Sequence, residues 1–172
     1  MELIKELPAL GRDLGPGLIL IGLTSLAAIL VGCLFEEWET LPWMATATVS
    51  LCGIGLLLRF LPKTSKVPRT STSIAATALV WVIVGLCGSL PFLFTGMSFL
   101  DAAFESMSAW TGTGFSIAED IESWPKTLLF WRSFMQWVGG LGIVAFTLTV
   151  ATRSGLVTRG LYNSESGSQA FM

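Results

Sequence analysis

The sequence predicts an all-α membrane protein with four transmembrane helices, and with a short re-entrant helix and loop between the third helix and the fourth. Charged residues make up 13% of the 172-residue chain and hydrophobic residues 52%, whereas soluble domains carry about 25% charged residues. The charges are also bunched, which leaves four charge-free stretches of about 20 residues or more: 14–35, 40–58, 70–100 and 133–152. Because about 20 apolar residues cross a bilayer core as a helix, this pattern excludes an ordinary soluble fold. The high hydrophobicity also excludes disorder.

Four spans follow from the charge-free stretches. The N-terminus mixes Glu2 and Glu6 with Lys5 and lacks the basic start of a signal peptide. The first stretch is therefore expected to stay in the protein as a helix. We place the spans at about 16–35, 41–61, 72–94 and 128–152.

A segment at 62–71 separates the first two spans from the last two. It contains Pro62, Pro68 and a run of serine and threonine, all of which disfavour a continuous helix. The chain is therefore predicted to have three parts. They are a two-helix membrane hairpin with a basic linker over 1–70, a helix–loop–helix repeat over 71–152, and a tail over 153–172.

Loop charges predict the orientation, because lysine and arginine are retained on the cytoplasmic side of a membrane. The 59–70 connection carries bases and no acid, whereas the 36–39 turn carries glutamates and no base. The tail begins with Arg153 and also contains Arg159. We therefore expect both termini in the cytoplasm and the 36–39 turn outside.

The residue types present give little support for an enzyme. The chain has no histidine, which excludes histidine-based catalytic triads and histidine-ligated metal sites. Cys33, Cys52 and Cys87 lie in apolar stretches without C-x-x-C spacing, and we interpret them as small buried hydrophobic residues rather than a metal or redox site. No nucleotide-binding glycine motif is present either. We therefore predict a non-enzyme without a cofactor.

The segment at 95–126 is too long for a simple hairpin turn. Its start predicts a short helix, too short to cross the membrane, from apolar residues at helical spacing: Phe99, Leu100, Ala103, Phe104, Met107 and Trp110. A glycine- and threonine-rich run follows at 111–116, and then an acidic stretch at 119–122. An apolar span, a short helix, such a loop and a second span together describe a re-entrant pore loop.

A glycine-rich loop at membrane depth suits cation coordination. Irregular backbone survives there only inside protein or along a water-filled cavity, and glycine permits positive φ, so that successive carbonyls can face one side. A ring of such carbonyls can replace the hydration shell of potassium, and external Glu119, Asp120 and Glu122 would concentrate cations at the mouth. Because Gly-x-Gly is a weak motif, a plain extracellular loop with a glycine turn stands as the alternative.

Two longer strings carry a more specific signal. Residues 104–116 read FESMSAWTGTGFS, and residues 129–143 read LFWRSFMQWVGGLGI. In this order they closely resemble the Trk/Ktr/HKT superfamily of potassium transporters, over about 72–152. The first two spans look like the extra N-terminal helix pair of the Trk branch, so that the chain is similar to that helix pair plus the first pore repeat of a Trk-type membrane subunit.

The resemblance implies a potassium-selectivity filter formed by Thr111, Gly112, Thr113, Gly114 and Phe115. Gly114 matches the family's filter glycine, and potassium would be held by the backbone carbonyls of Thr111, Gly112, Thr113 and Gly114. Family members with serine at the Gly114 position admit sodium more readily, so glycine favours potassium. Gly112 departs from the commoner threonine, which puts strict selectivity in doubt.

Five further residues are expected to support the pore structurally: Glu105, Arg132, Gly139, Gly140 and Gly142. Arg132 lies about one turn inside the fourth span, against the positive-inside pattern, and we expect it to pair with Glu105. Snorkelling of Arg132 to the interface is the alternative. The three glycines would let the fourth span pack closely on its neighbours, or else they face lipid.

The functional expectation is potassium uptake across the inner membrane, with this chain contributing one of the four pore loops that family members carry. Other copies of the chain or a companion chain would supply the rest. The resemblance also implies membrane lipid and a cytosolic nucleotide-binding regulatory ring as partners, and no nucleic acid. The alternatives are a non-conducting truncated or accessory fragment and a sodium-permeable cation transporter.

Overall fold

The computed structural model describes residues 2–61 and 70–153, which form helices joined by turns and loops. No strand occurs in these two ranges. The helices are α1 (Glu2–Thr24), α2 (Leu26–Leu34), α3 (Leu41–Arg59), α4 (Thr70–Ser89), a 3₁₀ helix (Leu90–Thr95), α5 (Phe99–Trp110) and α6 (Lys126–Arg153). The basic connection at 62–69 and the tail at 154–172 lie outside the described residues, so the predicted division into three parts stays a prediction.

Four helical segments are long and apolar enough to cross a membrane: Leu14–Leu34, Leu41–Arg59, Ile74–Thr95 and Lys126–Thr149. Between the last two lies α5, whose 12 residues rise only about 18 Å against a hydrocarbon core of about 30 Å. The predicted class is confirmed: an all-α membrane protein with four spans and a short helix between the third and the fourth.

The first span differs from the predicted single helix because it is interrupted at Ser25. The buried Ser25 hydroxyl donates to the carbonyl oxygen of Gly22 at 2.6 Å and lies 2.5 Å from Thr48 Oγ1. A serine hydroxyl bonded to its own helix offers the backbone an alternative to the helical ladder. The segment therefore continues as a second helix, α2, rather than as one rod.

Close backbone contact holds α1 against α3. A Cβ atom added to Gly15 would lie 2.6 Å from the Gly55 carbonyl oxygen, and one added to Gly55 would lie 2.7 Å from the Gly15 carbonyl oxygen. Small residues at such a crossing let two membrane helices approach closely enough for backbone packing. The N-terminal hairpin is thus a packed unit.

The core of the second half is built from aromatic side chains. Trp110 at the end of α5 and Trp131 in α6 are both buried, with ring centroids 6.1 Å apart and planes at 84°. Trp131 also donates from its indole nitrogen to the carbonyl of Gly88 at 3.0 Å. Edge-to-face aromatic pairs are favourable beyond their buried area. These contacts fix the end of α5 between α4 and α6.

Glu37 joins the two halves of the molecule. Its carboxylate accepts hydrogen bonds from the backbone N–H groups of Lys126 and Thr127, at 2.7 and 2.8 Å, and from the Thr127 hydroxyl at 2.6 Å. The first N–H groups of a helix have no partner within it, so Glu37 acts as an N-cap supplied from a distant turn. Burial raises the pKa of Glu37, but the bonds from Thr127 and Lys126 outweigh this and hold the pKa below its usual value.

We expect Glu37→Ala to lower the free energy of unfolding by about 1 kcal/mol, the usual cost of losing an N-cap side chain. The control is Glu39→Ala, in the same exposed turn. Thermal unfolding of both variants in detergent micelles measures the difference. Equal stability of the two variants would contradict the cap.

The same contact predicts the direction of a pH effect. The pKa of Glu37 is lower in the folded state than its ordinary value of 4.5. The contribution of the Glu37 cap to the stability of the fold is therefore fully present above pH 4.5. It is lost as the pH falls through the lowered pKa. The stability gap between the wild type and Glu37→Ala should therefore close in acid.

Candidate functional site

The candidate site is the loop at 111–116, which follows the C-terminus of α5. Gly112 has φ 71° and Gly114 has φ 75°, both in the left-handed region that glycine adopts without a steric penalty. The loop turns back on α5, and the Gly114 N–H donates to the carbonyl of Ser108 at 3.3 Å. The partly negative end of the α5 dipole therefore points at the loop.

Hydroxyl groups fix the loop to α5. Ser108 donates to the Phe115 carbonyl at 2.6 Å, the Thr113 hydroxyl donates to the Ser108 carbonyl at 3.1 Å, and the Thr111 hydroxyl donates to the Met107 carbonyl at 2.8 Å. Both threonine side chains are thus bonded to the last turn of α5. Sequence reasoning did not single out Ser108, although it lies in the quoted string at 104–116.

The carbonyls of the loop fall into two groups. Those of Gly114 and Phe115 accept hydrogen bonds from side chains. Within the described part of the chain, no donor is found for those of Thr111, Gly112 and Thr113. All five residues are exposed. The C-terminal end of the loop therefore accepts hydrogen bonds, whereas the backbone oxygens of the preceding three residues accept none from the described residues.

Glu105 and Arg132 form an ion pair beside the loop, with Arg132 Nε 3.1 Å from Glu105 Oε2. The Glu105 side chain has no exposed surface and that of Arg132 is 13% exposed. The other carboxylate oxygen accepts hydrogen bonds from the Ile117 N–H at 2.7 Å and from the Ser116 hydroxyl. A buried charge requires pairing and hydrogen bonding of this kind.

Arg132 reaches the loop directly as well. Its Nη2 donates to the carbonyl of Gly114 at 3.1 Å and to that of Phe115 at 3.3 Å. The guanidinium thus connects the α5 carboxylate with two carbonyls of the loop. The rigid fork of donors in arginine suits such bridging, and lysine does not provide it.

The three glycines of α6 have different surroundings. A Cβ atom on Gly139 would overlap the carbonyl oxygen of Trp110, at the start of the loop. One on Gly142 would lie 3.5 Å from the Trp81 ring, and one on Gly140 would meet nothing within 4 Å. Of the three glycines, only Gly139 thus lies where a side chain would prevent the close approach of α6 to the end of α5.

The acidic residues that follow the loop lie at the surface. Glu119, Asp120 and Glu122 are exposed, and Asp120 accepts a hydrogen bond from the Ser123 N–H at 3.3 Å. Within the described ranges, no group of three His, Cys, Asp or Glu side chains could hold a metal ion.

The TrkH family model, described as a cation transport protein, matches residues 43–170. The chain belongs to this family. It is also similar to an uncharacterized cation transporter of Methanocaldococcus jannaschii, with 35% identity over 98% of this chain and 35% of that protein. The Trk system potassium uptake protein TrkH of Halomonas elongata is 35% identical over 90% of this chain and 33% of its own length.

A solved structure of a TrkH protein shows the same fold. The crystal structure of the potassium transporter TrkH from Vibrio parahaemolyticus matches 85% of this chain with a TM-score of 0.77 and 31% identity. The match covers 32% of that protein. The chain thus spans about a third of the length of the TrkH-family relatives it matches, and it is a multi-pass membrane protein of a transporter family.

We expect Gly139→Ala to destabilise the loop, because its methyl group would overlap the Trp110 carbonyl and push α5 away from α6. Overpacking of this kind costs about 1–3 kcal/mol. Gly140→Ala is the matched control, since its methyl group meets open space. The midpoints of thermal unfolding of the two variants test this expectation. Equal midpoints would contradict the close approach of Gly139 to the Trp110 carbonyl.

We expect Glu105→Ala to lower the free energy of unfolding by about 3–5 kcal/mol, the range for breaking a buried pair by removing one partner. Arg132 would keep its charge without a carboxylate, and the Ile117 N–H would lose its acceptor. Glu119→Ala makes the same change at an exposed site and should leave stability within about 0.5 kcal/mol. A Glu105→Ala protein as stable as this control would show that the pair is not needed.

Proposed function

We propose that the chain takes part in potassium uptake across the inner membrane, contributing one selectivity-filter loop to a pore that needs four. The observation that carries this proposal is the run of backbone carbonyls at 111–113, for which no donor is found among the described residues. The run lies at the negative end of α5, in a loop whose Gly112 and Gly114 are both left-handed. Backbone carbonyls in such a run can replace the water around a potassium ion. The relatives named as a potassium uptake protein and a potassium transporter support the choice of ion.

The proposed function is transport without a chemical reaction, so potassium is the substrate and no cofactor is proposed. An ion would lose water at the loop and move inward down its electrochemical gradient, which a negative cell interior favours. The exposed acids at 119–122 raise the local cation concentration at the outer mouth. We place both termini in the cytoplasm, because this puts Glu36, Glu37 and Glu39 outside and the basic connection inside.

One loop cannot enclose an ion, so the remaining three must come from elsewhere. Other copies of this chain or a companion chain carrying further repeats would supply them. The exposure of the loop, including 72% of Phe115, leaves it accessible to such neighbours. Membrane lipid and a cytosolic nucleotide-binding ring complete the proposed partners. A non-conducting truncated or accessory fragment is the second candidate, because one loop by itself cannot replace the whole hydration shell of an ion.

The test is potassium-limited growth of a bacterial strain that lacks its own potassium uptake systems. The chain is expressed alone and together with the remaining two-thirds of a TrkH relative whose own first third is removed. We expect growth at low potassium at least in the second case. No growth in either case, with normal membrane insertion, would favour the non-conducting fragment, and equal uptake of sodium would favour a sodium-permeable transporter.

In the combination that conducts, Gly114→Ser should lower the uptake of potassium relative to sodium. Serine is strained at φ 75°, and its side chain would point toward Gln136 Nε2, which lies 3.6 Å from a Cβ at this position. Gly96→Ser is the matched control, because Gly96 has φ 81° and open space but lies outside the loop. If the two variants have the same ion selectivity, Gly114 is not part of the filter.

A further inference from the structure

We propose that Arg132 determines which loop carbonyls coordinate the cation. Its hydrogen bonds keep the carbonyls of Gly114 and Phe115 from coordinating the ion. The carbonyls of Thr111, Gly112 and Thr113 are left to do so. This inference rests on the proposed cation path along the loop. It departs from the expectation that the Gly114 carbonyl is itself a ligand. Arg132 is then a positioning and specificity-determining residue.

The geometry of the hydrogen bonds is the first support. Nη2 of Arg132 lies 3.1 Å from the Gly114 oxygen and 3.3 Å from the Phe115 oxygen. The Phe115 oxygen also accepts from Ser108 at 2.6 Å, so both of its lone pairs are in use. A carbonyl turned toward a donor on α6 presents less of its oxygen to an ion.

The charge of the guanidinium is the second support. A cation on the Gly114 oxygen would have the positive charge of Arg132 as its next neighbour, and like charges at such separations repel each other. Glu105 compensates only in part, because its Oε2 faces Nε, while its Oε1 is bonded to the Ser116 hydroxyl and the Ile117 N–H. The nearest donor group to the Gly114 oxygen is therefore cationic.

The remaining carbonyls lack this restraint. The Thr111 and Thr113 side chains are bonded to α5 through their hydroxyls, and within the described residues their backbone oxygens have no donor. Gly112 lies between them with φ 71° and open space around its α-carbon. Coordination is therefore confined to three consecutive oxygens next to the C-terminus of α5.

The sequence permits a direct test by carbonyl NMR. The dipeptide Gly-Phe occurs once in the chain, at 114–115, and Gly-Thr occurs once, at 112–113. Labelling with carbonyl-¹³C glycine and with ¹⁵N phenylalanine and threonine therefore gives one correlation for the Gly114 carbonyl and one for that of Gly112. The labelled full chain is reconstituted in lipid bilayers together with the unlabelled remaining two-thirds of a TrkH relative, the combination expected to conduct. The sample is titrated with potassium chloride, against N-methylglucamine chloride at equal ionic strength.

We expect potassium to shift the Gly112 resonance and to leave the Gly114 resonance in place. A Gly114 shift as large as that of Gly112 in the wild-type protein would overturn the proposal, and this measurement needs no substitution. If neither resonance responds, cation binding by the loop loses its support, whereas the contact with Arg132 is still decided by the variants below.

Arg132→Met should move the Gly114 carbonyl resonance upfield, because the hydrogen bond is lost, and should make it respond to potassium. Lys126→Met removes a positive charge from the same helix without touching the loop and should change neither property. Should the single variant fail to fold, Glu105→Gln with Arg132→Met avoids an unpaired buried charge. An unmoved Gly114 resonance in a folded Arg132 variant would overturn the proposal.

Discussion

The buried pair of Glu105 and Arg132 is the interaction on which the loop depends. Taking a carboxylate out of water is tolerable only when it is paired and its remaining lone pairs are used. Here the guanidinium, the Ser116 hydroxyl at the end of the loop and the Ile117 N–H just beyond it satisfy the carboxylate. Because the same guanidinium also donates to two loop carbonyls, α5, α6 and the C-terminal end of the loop form one bonded unit.

The position of α6 follows from contacts at three levels. Its first N–H groups are capped by Glu37, and its Arg132 side chain contacts the C-terminal end of the loop. Gly139 lies seven residues further on, two helical turns and on the same face, and there it packs on the carbonyl of Trp110. A shift of α6 along its axis would break all three contacts. The N-terminal hairpin, through Glu37, therefore helps to place the loop.

The sequence predicts the parts of the structure that depend on residues close together along the chain. It predicts few of the contacts between residues that are far apart along the chain. Apolar spacing predicts the four spans and the short helix that begins at Phe99. The cap was not predictable, because Glu37 and Lys126 are 89 residues apart and the sequence shows only an acidic turn. Arg132 is an intermediate case. A charge inside an apolar span favours a carboxylate partner, but the bonds of Arg132 to loop carbonyls depend on the folded path of the backbone.

The glycines of the loop give it no order of their own. Gly112 and Gly114 permit the left-handed turns, but glycine loses more conformational freedom on folding than any other residue. This cost must be offset by bonds between the loop and its neighbouring helices. The hydroxyls of Ser108 and of the two loop threonines form these bonds with α5, and Arg132 forms them with α6. That is why Gly-x-Gly is a weak motif by itself. The strings at 104–116 and 129–143 are more specific indicators of the loop structure, because they contain the side chains that order the loop.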